Sequence, residues 1–579
     1  AAPASPWRRQ LMSDGATTMS GQDEPATGPI LASDGTPLKR RLARSLRMQK
    51  LRALALIAPL LIFVVVTFIA PIADMLFRSV ENEIVSHTLP DTVAAVSDWD
   101  PEAQELPSEP VYQALFFDMF LAAEAKEHTK LGTRLNYEQV GISSLFRTSG
   151  RRLDDIGEVY EDWLVDLSPA WKSGEFWHEL MRGAATAAPD TDLLAEQRAR
   201  LRALTDDPMQ GDVGFVPGSE IARVLPMTTR EYTANAIFSA IDKNRDISER
   251  GPWEAVYAAL AVDLGDPEVQ RAISGYQGPG GDELRAAAAA IDTAPPRDFT
   301  AAMIEADKDW ANPENIQAIK VYSAKYTIGY YLNAVDLQKT LDGIAERPEN
   351  QQIYIMLFGR TLFMSLLITF SCILLGYPVA WILANLPLRT SNLLMILVLL
   401  PFWTSLLVRT SAWKVMLQQQ GVINDTLVWL GILDDASRLI MINNQFGTIV
   451  AMTHILLPFM ILPLYSVMQT IPPSYLRAAK SLGANNWTAF WRVYFPQSIP
   501  GIGAGSILVF ILAIGYYITP EIVGGTTGTF ISNRIAFHIS SSLNWGLGAA
   551  LGTILLAAVL ALYWTYDKIV GIDNVKLGG

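Results

Sequence analysis

Few residues in this 579-residue chain have the types and spacing that chemistry requires. Asp242, Asn244 and Asp246 repeat the first three ligand positions of a calcium loop. Ile247, however, stands where the turn glycine belongs, and Trp253 occupies the place of the bidentate acid. A solvated helix end is the better reading. His87, His128 and His178 are scattered, and nothing has zinc-ligand spacing. No GxxxxGK followed by Ser or Thr occurs, and Gly278–Gly281 is a turn signal without the lysine. The chain is therefore expected to hold no nucleotide site, cofactor or metal of its own. One polar group in an apolar setting does suggest a ligand. Glu521 follows Tyr516 and Tyr517, and a carboxylate beside aromatic faces suits an ammonium through charge pairing and cation–π attraction. A water-exposed helix end is the competing reading. Trp403, Arg409, Trp413 and Lys414 form a second candidate lining, with Lys414 expected to snorkel to the interface. His454 is expected to make a hydrogen-bonded helix–helix contact, and Asp74 to lie at an interface.

The elements that carry these groups are apolar. Half of the chain is hydrophobic, and mean hydropathy is +0.21 despite 58 acids. The charge is unevenly spread: residues 78–352 are strongly acidic, with a net charge of −22, and the remainder is basic, at +9. A hydrocarbon core about 30 Å thick needs about 20 apolar residues of helix. Six stretches meet that need: Arg52–Phe77, Phe358–Asn385, Leu393–Leu417, Thr448–Thr470, Ile502–Ile522 and Leu547–Tyr566. The first is too long for a cleaved signal and is read as a retained helix. The single Cys372 excludes a disulfide scaffold, and a pI of about 5.0 without a basic stripe argues against nucleic acid as a partner.

Lys/Arg counts in the short flanks orient the spans. Seven bases lie between Lys39 and Arg52, and alternate loops carry Arg389, then Arg477, Lys480 and Arg492, then Lys568 and Lys576. This bias puts both termini in the cytoplasm and residues 78–352 outside it. The expected organisation is a basic tail over 1–51, disordered to about Pro37, whose bases anchor to membrane lipids. A first span follows at 52–77, then an acidic extracytoplasmic insertion over 78–352. A membrane core over 353–570 and a cytoplasmic tail over 571–579 complete the chain. The insertion reads as mostly helical, with helices over Val111–His128, Asp192–Thr205, Thr229–Ile241 and Asp282–Ile291.

The most informative segment is the expected cytoplasmic loop 471–500. Pro472–Pro473 end one span, and Ser474 can cap a short helix. Tyr475, Ala478, Ala479 and Leu482 share one face of it, and Gly483 supplies a left-handed turn. Asn486 can cap a second short helix. Trp487, Phe490, Trp491 and Tyr494 repeat the spacing before Pro496 and Pro500 break it. The pattern predicts two short helices at an angle on the membrane surface. Small alanines there admit close approach by another protein. A plain amphipathic loop lying on the bilayer is the alternative that pattern leaves open.

Arg477-Ala478-Ala479, three residues, Gly483, nine residues, then Val493-Tyr494-Phe495-Pro496 resembles the EAA loop of permease subunits in binding-protein-dependent ABC importers. Arg477 stands where that family usually has Glu. Trp491–Gly525, Leu375–Trp381 and Leu400–Trp413 resemble the spermidine/putrescine branch. Leu135–Leu153 resembles part of an insertion found in some of its members. The resemblance implies an all-α membrane protein with the six helices of the type I importer fold and a helical insertion between the first and second. It implies a permease subunit forming half of a translocation path, most simply for a polyamine. Other small solutes (ferric ion, thiamine, an organophosphonate) are the alternative. The implied partners are an ABC ATPase dimer holding ATP and Mg, a second homologous permease and an extracytoplasmic substrate-binding protein. ATPase docking falls to Tyr475, Arg477, Ala478, Ala479, Leu482, Gly483, Ala484, Trp487, Phe490 and Pro496. The substrate path falls to Trp403, Arg409, Tyr516, Tyr517 and Glu521. A membrane receptor with an external sensor domain would need a signalling module after its second span, whereas four more spans follow here. A self-contained secondary transporter would show internal repeats and mid-span ion pairs, and neither is evident.

Overall fold

A computed structural model describes residues 38–101, 106–184 and 187–570. The expected disordered tail to Pro37 and the tail 571–579 lie outside the described residues. The chain divides into one unit ending at Asp74 and a second beginning at Met75. Helix runs from Leu38 to Arg78, interrupted by a π turn at Val65–Ile69. Pro71 explains that turn: it has no N–H to donate, and widening the ladder moves the preceding carbonyls away from its ring.

Arg47–Arg78, Tyr354–Asn385, Gln445–Gln469, Asn486–Gly515 and Trp545–Lys568 are long and apolar enough to cross a membrane. Among the described residues this makes five such helices, or six if a bent pair counts as one span. The bent pair corrects the expectation of one straight span over Leu393–Leu417. Leu388–Trp403 and Leu406–Met416 meet at 94° instead. Pro401 turns the backbone into a 3-10 turn over Leu400–Trp403. Thr404 closes it by donating its N–H and its hydroxyl to the Pro401 carbonyl, at 3.2 and 2.9 Å. The expected span Ile502–Ile522 is also corrected. Its helix ends at Gly515, Tyr516 is extended, and a separate short helix covers Ile518–Val523.

Tyr354–Asn385, Gln445–Gln469 and Phe495–Gly515 pack around buried Met364, Ile368, Cys372, Met452, Leu456, Met460 and Val509. Their closest approach rests on Gly505, where a Cβ would come within 2.6 Å of the Met460 sulfur.

The acidic stretch builds a separate aromatic core that includes Tyr112, Phe116, Phe117, Trp171, Trp177, Tyr257, Phe299 and Trp310. The predicted helices are present as Glu109–Glu124, Thr191–Thr205, Pro226–Ile241 and Gly281–Ala289. The first ends four residues before the predicted His128, because Lys126 takes a left-handed conformation (φ 61°) and His128 opens the next helix. Asp190 caps Thr191–Thr205 by accepting the Leu193 N–H at 3.0 Å. The all-α expectation misses one small hairpin, β1 (Leu337–Thr340) antiparallel to β2 (Gly343–Glu346), with Leu337 opposite Glu346. The tempting calcium positions are otherwise engaged. Asp242 pairs with Lys243 at 2.7 Å, and Asp246 accepts the Ser248 N–H at 2.9 Å.

Several buried charges in this block are paired locally. Arg200 lies 3.0 Å from Asp118 and 3.1 Å from Glu231. Arg134 and Arg347 clasp the two oxygens of Glu138, at 2.9 and 3.0 Å. The two ends of the block meet. The Asn82 N–H donates to the Lys325 carbonyl and the Thr327 N–H to that of Val80, both at 2.8 Å, around a Glu81–Tyr326 bridge.

Two junctions tie the block to the membrane helices, beside the Tyr137–His538 ring contact at 5.4 Å. Tyr330 fills the space beside Gly546, where a Cβ would come within 2.4 Å of its ring, in a cluster with Tyr354, Leu357, Ile531 and Leu551. Asp336, buried and at φ 58°, accepts the N–H groups of Ile353, Tyr354 and Ile355 at 3.0, 2.9 and 2.8 Å. A carboxylate from the block thus caps the helix Tyr354–Asn385, satisfying donors that a helix start leaves open and opposing its dipole.

Asp336→Ala should destabilise this junction by about 1–2 kcal/mol. Amide exchange at 353–357 should accelerate, with little change in the helix Gln445–Gln469. A second expectation concerns pH. Burial pushes the Asp263 carboxyl up to about 6, although Thr228 donates its N–H (2.8 Å) and hydroxyl (2.6 Å) to it. The unfolded carboxyl titrates near 4, so the folded chain holds the proton more tightly. The contribution of Asp263 to stability is therefore most favourable below pH ~4, falls as pH rises towards ~6, and is level above that. Hydrogen exchange of Pro226–Ile241 should follow this slope, and Asp263→Asn should flatten it.

Candidate functional site

The loop after Gln469 is an exposed short helix joined to a long one. Pro473–Ser481 is helical, started by proline in its first turn. Ser474 lies inside this helix and caps nothing, which corrects its expected role. Gly483 has φ 89°, and a Cβ placed there would meet nothing within 4 Å, so conformation and not space selects glycine here. The following cap is Asn485 and not the expected Asn486: its side chain accepts the Thr488 N–H at 2.7 Å.

The second helix is not a separate short one. Asn486–Ala489 passes through a π turn at Phe490–Tyr494 into Phe495–Gly515 without a break. Pro496 and Pro500, expected to stop it, lie within the continuous helix. Pro496 is the second residue of the stretch Phe495–Gly515, just past the π turn that absorbs its missing donor.

The π turn also redistributes the aromatic residues. Tyr494 is buried and Phe490 packs on the membrane core, stacked on Tyr494 at 5.9 Å and edge-on to Tyr377 at 6.2 Å. Trp487 and Trp491 stay outside, 5.6 Å apart, with Trp487 72% exposed. On the first helix Tyr475 is 52% exposed and Leu482 89%, Arg477, Ala478 and Lys480 are exposed, and Ala479 and Ala484 are half-buried. Tyr475, Arg477, Ala478, Leu482, Gly483 and Trp487 are therefore all exposed, Tyr475, Ala478 and Leu482 at the spacing of one helix face with Arg477 off it, while Phe490 is turned onto the membrane core. No Asp or Glu occurs between Asp435 and Glu521, so Arg477, Lys480 and Arg492 face no acid from that stretch.

The second candidate group is only partly assembled. Thr410 and Thr519 hydroxyls meet at 3.1 Å, so the helix carrying Arg409 packs on Ile518–Val523. Arg409 neighbours His454 and Tyr516, and its Nε is buried without a hydrogen bond among the described residues. Glu521 is exposed and accepts from Asn533 Nδ2 at 2.6 Å. The same nitrogen reaches the Tyr517 carbonyl at 2.9 Å, and Ser532 Oγ donates to the Tyr516 carbonyl at 2.7 Å. Nothing in the sequence singles out Asn533 and Ser532; their amide and hydroxyl are ordinary until the fold places them under the Tyr-Tyr turn. Trp403 sits across the 94° bend from Arg409 and is 74% exposed, so it does not join that cluster. Trp413 Nε1 donates to His454 Nδ1 at 3.1 Å, the interhelical contact expected of His454.

The family described as "Binding-protein-dependent transport system inner membrane component" matches residues 355–570. The spermidine/putrescine transport system permease protein PotB of Salmonella typhimurium (strain SL1344) is 36% identical over 233 residues, 40% of this chain and 80% of that protein. PotB of Escherichia coli (strain K12) is 36% identical over 220 residues, covering 38% and 79%. A chain in the crystal structure of a bacterial alginate ABC transporter, bound to an alginate pentasaccharide-loaded periplasmic protein, aligns at 18% identity and a TM-score of 0.32. That alignment covers 37% of this chain and 77% of the other. With four-fifths of such relatives covered at this identity, the chain belongs to the binding-protein-dependent transport system inner membrane components, as a multi-pass permease of an ABC importer.

Proposed function

We propose that this permease forms half of a polyamine translocation path and is driven through the 473–496 loop by an ATPase dimer on the cytoplasmic side. The observation that carries this is mechanical. An exposed apolar knob, Tyr475, Leu482 and Trp487, is continuous in backbone with the helix Phe495–Gly515 that packs in the membrane core. A push on the knob tilts that helix as a unit, which is alternating access by rocking of packed helices. Arg477, Lys480 and Arg492 are exposed on the same loop, so an acidic seat on the ATPase would complement it.

In this reading the Lys/Arg bias places both termini inside and residues 78–352 outside, where an extracytoplasmic binding protein docks. A second homologous permease completes the path, and ATP and Mg stay on the ATPases. The polyamine assignment is supported by the spermidine and putrescine for which the PotB relatives are named and by Glu521 beside Tyr517. A net charge of −22 in the block would concentrate polycations at the entrance.

Gly483→Asp forces an unfavourable φ on a bulkier residue and adds a charge to the knob. In the reconstituted complex it should lower binding-protein-stimulated ATPase activity and import at least about tenfold, with membrane insertion unchanged. Normal coupling in that variant would refute the drive train. Arg477→Glu should reduce ATPase co-purification, and an acid-to-base change in the ATPase seat should restore it. Ligand-stimulated ATPase activity, screened with spermidine, putrescine, ferric ion, thiamine and an organophosphonate, assigns the solute. Glu521→Gln should raise the spermidine concentration for half-maximal stimulation by roughly tenfold, about 1.4 kcal/mol. An unchanged value would remove Glu521 from the path.

A further inference from the structure

A crevice of about 1010 Å³ separates the helical block from the turn that opens the last membrane helix. That volume accommodates a whole small ligand or headgroup. Its lining differs in charge from the rest of the block. Arg78, Lys130, Arg134 and Arg202 all reach it, within a stretch whose net charge is −22.

Two of the groups in its wall are buried with unused donors. Arg134 is 5% exposed. Its Nε donates to the Tyr330 hydroxyl and its Nη1 to Glu138, both at 2.9 Å, and its guanidinium lies 4.3 Å over the Tyr330 ring, but its Nη2 has no hydrogen-bond partner among the described residues. Asn544 is 7% exposed. Its Oδ1 accepts the Leu547 N–H at 3.2 Å, while its Nδ2 is likewise unused. Buried donors without acceptors are rare in folded proteins and point to a guest that supplies oxygens. Several donors, three of them guanidinium groups, suit a phosphate better than a neutral acceptor.

The position of the crevice names the source of the phosphate. Arg78 is the last residue of the first membrane helix, and it lies 5.8 Å over the ring of Trp545, the first residue of the last one. Arginine and tryptophan at helix ends mark the headgroup level of a bilayer. Three acids are also in the wall: Glu83, paired with Lys325, and Glu81 and Asp206, which suit the ammonium of a zwitterionic headgroup.

We propose that this crevice binds the phosphate headgroup of a membrane phospholipid, held by Arg134, Asn544 and Arg202. The lipid then bridges the helical block and the ends of two membrane helices.

The test uses the assembled transporter in mild detergent. Its thermal unfolding is followed while dihexanoyl phosphatidylethanolamine, dihexanoyl phosphatidylglycerol or inorganic phosphate is titrated in. Native mass spectrometry counts the phospholipids retained per chain. The expected result is stabilisation by at least one lipid, none by inorganic phosphate, and one retained lipid. Asn544→Asp keeps the Leu547 contact but repels phosphate, and should weaken the lipid response at least tenfold. Arg202→Glu, on an exposed helix surface, should do the same and guards against a folding defect in the first variant. Inorganic phosphate matching the lipids would overturn the lipid assignment. No response to any of the three, or variants responding like the parent, would overturn the site.

Discussion

A helix in lipid must satisfy its own backbone, and every proline within one breaks that rule by removing a donor. This constraint shapes the functional half of the molecule. Pro59, Pro378, Pro458, Pro463 and Pro500 stay within α-helix, but at three others the chain changes its ladder in one of two ways. Before Pro71 and before Pro496 the ladder widens into a π turn, ending two residues ahead of the ring in both cases. Before Thr404 it tightens into a 3-10 turn closed by a threonine hydroxyl, and the chain turns through 94°. The first answer keeps a helix whole and the second breaks it. The loop 473–496 is rigidly connected to the core because Pro496 received the first, and Trp403 is parted from Arg409 because Pro401 received the second.

The second organising force is the pairing of charge that cannot reach water. Glu138 is held by two arginines, and Asp118 and Glu231 share Arg200. Removing one partner from such a group leaves a buried charge uncompensated, which is far more damaging than the pair is stabilising. The same principle reaches across the boundary with the membrane core. Asp336 belongs to the hairpin region of the block, yet its carboxylate completes the first turn of a membrane helix. The block is thereby fixed to the permease by a charged hydrogen-bond cluster and a tyrosine fitted against a glycine, beyond chain connectivity alone.

Much of this is legible in the sequence. Apolar length marks helices irrespective of context, so four of the six expected spans and the major helices of the block are where hydropathy and caps place them. Gly483 is left-handed because nothing else at that position suits the turn. The misreadings cluster at prolines. Local pattern gives the caps to Ser474 and Asn486, each the wrong residue of a short run of candidates, and makes breaks of Pro496 and Pro500. Whether proline breaks, bends or is absorbed depends on the ladder around it, which local sequence does not encode. Asp336 is invisible for a different reason. Its role is a long-range cap delivered by tertiary structure, and the sequence near Tyr354 gives no sign of it. Asn533 and Ser532 beneath Glu521 are hidden in the same way.

The meeting of Val80–Asn82 with Lys325–Thr327 has a bearing on how such a chain arose. The residues between them leave and rejoin the membrane part through a gap spanned by two hydrogen bonds. Entry and exit lie side by side, so a segment of any length can start and end here without spreading the helices on either side, while Glu138 on Arg347 and Tyr137 on His538 fix this one beyond its neck. The transport helices can then keep one arrangement whatever is carried at that neck.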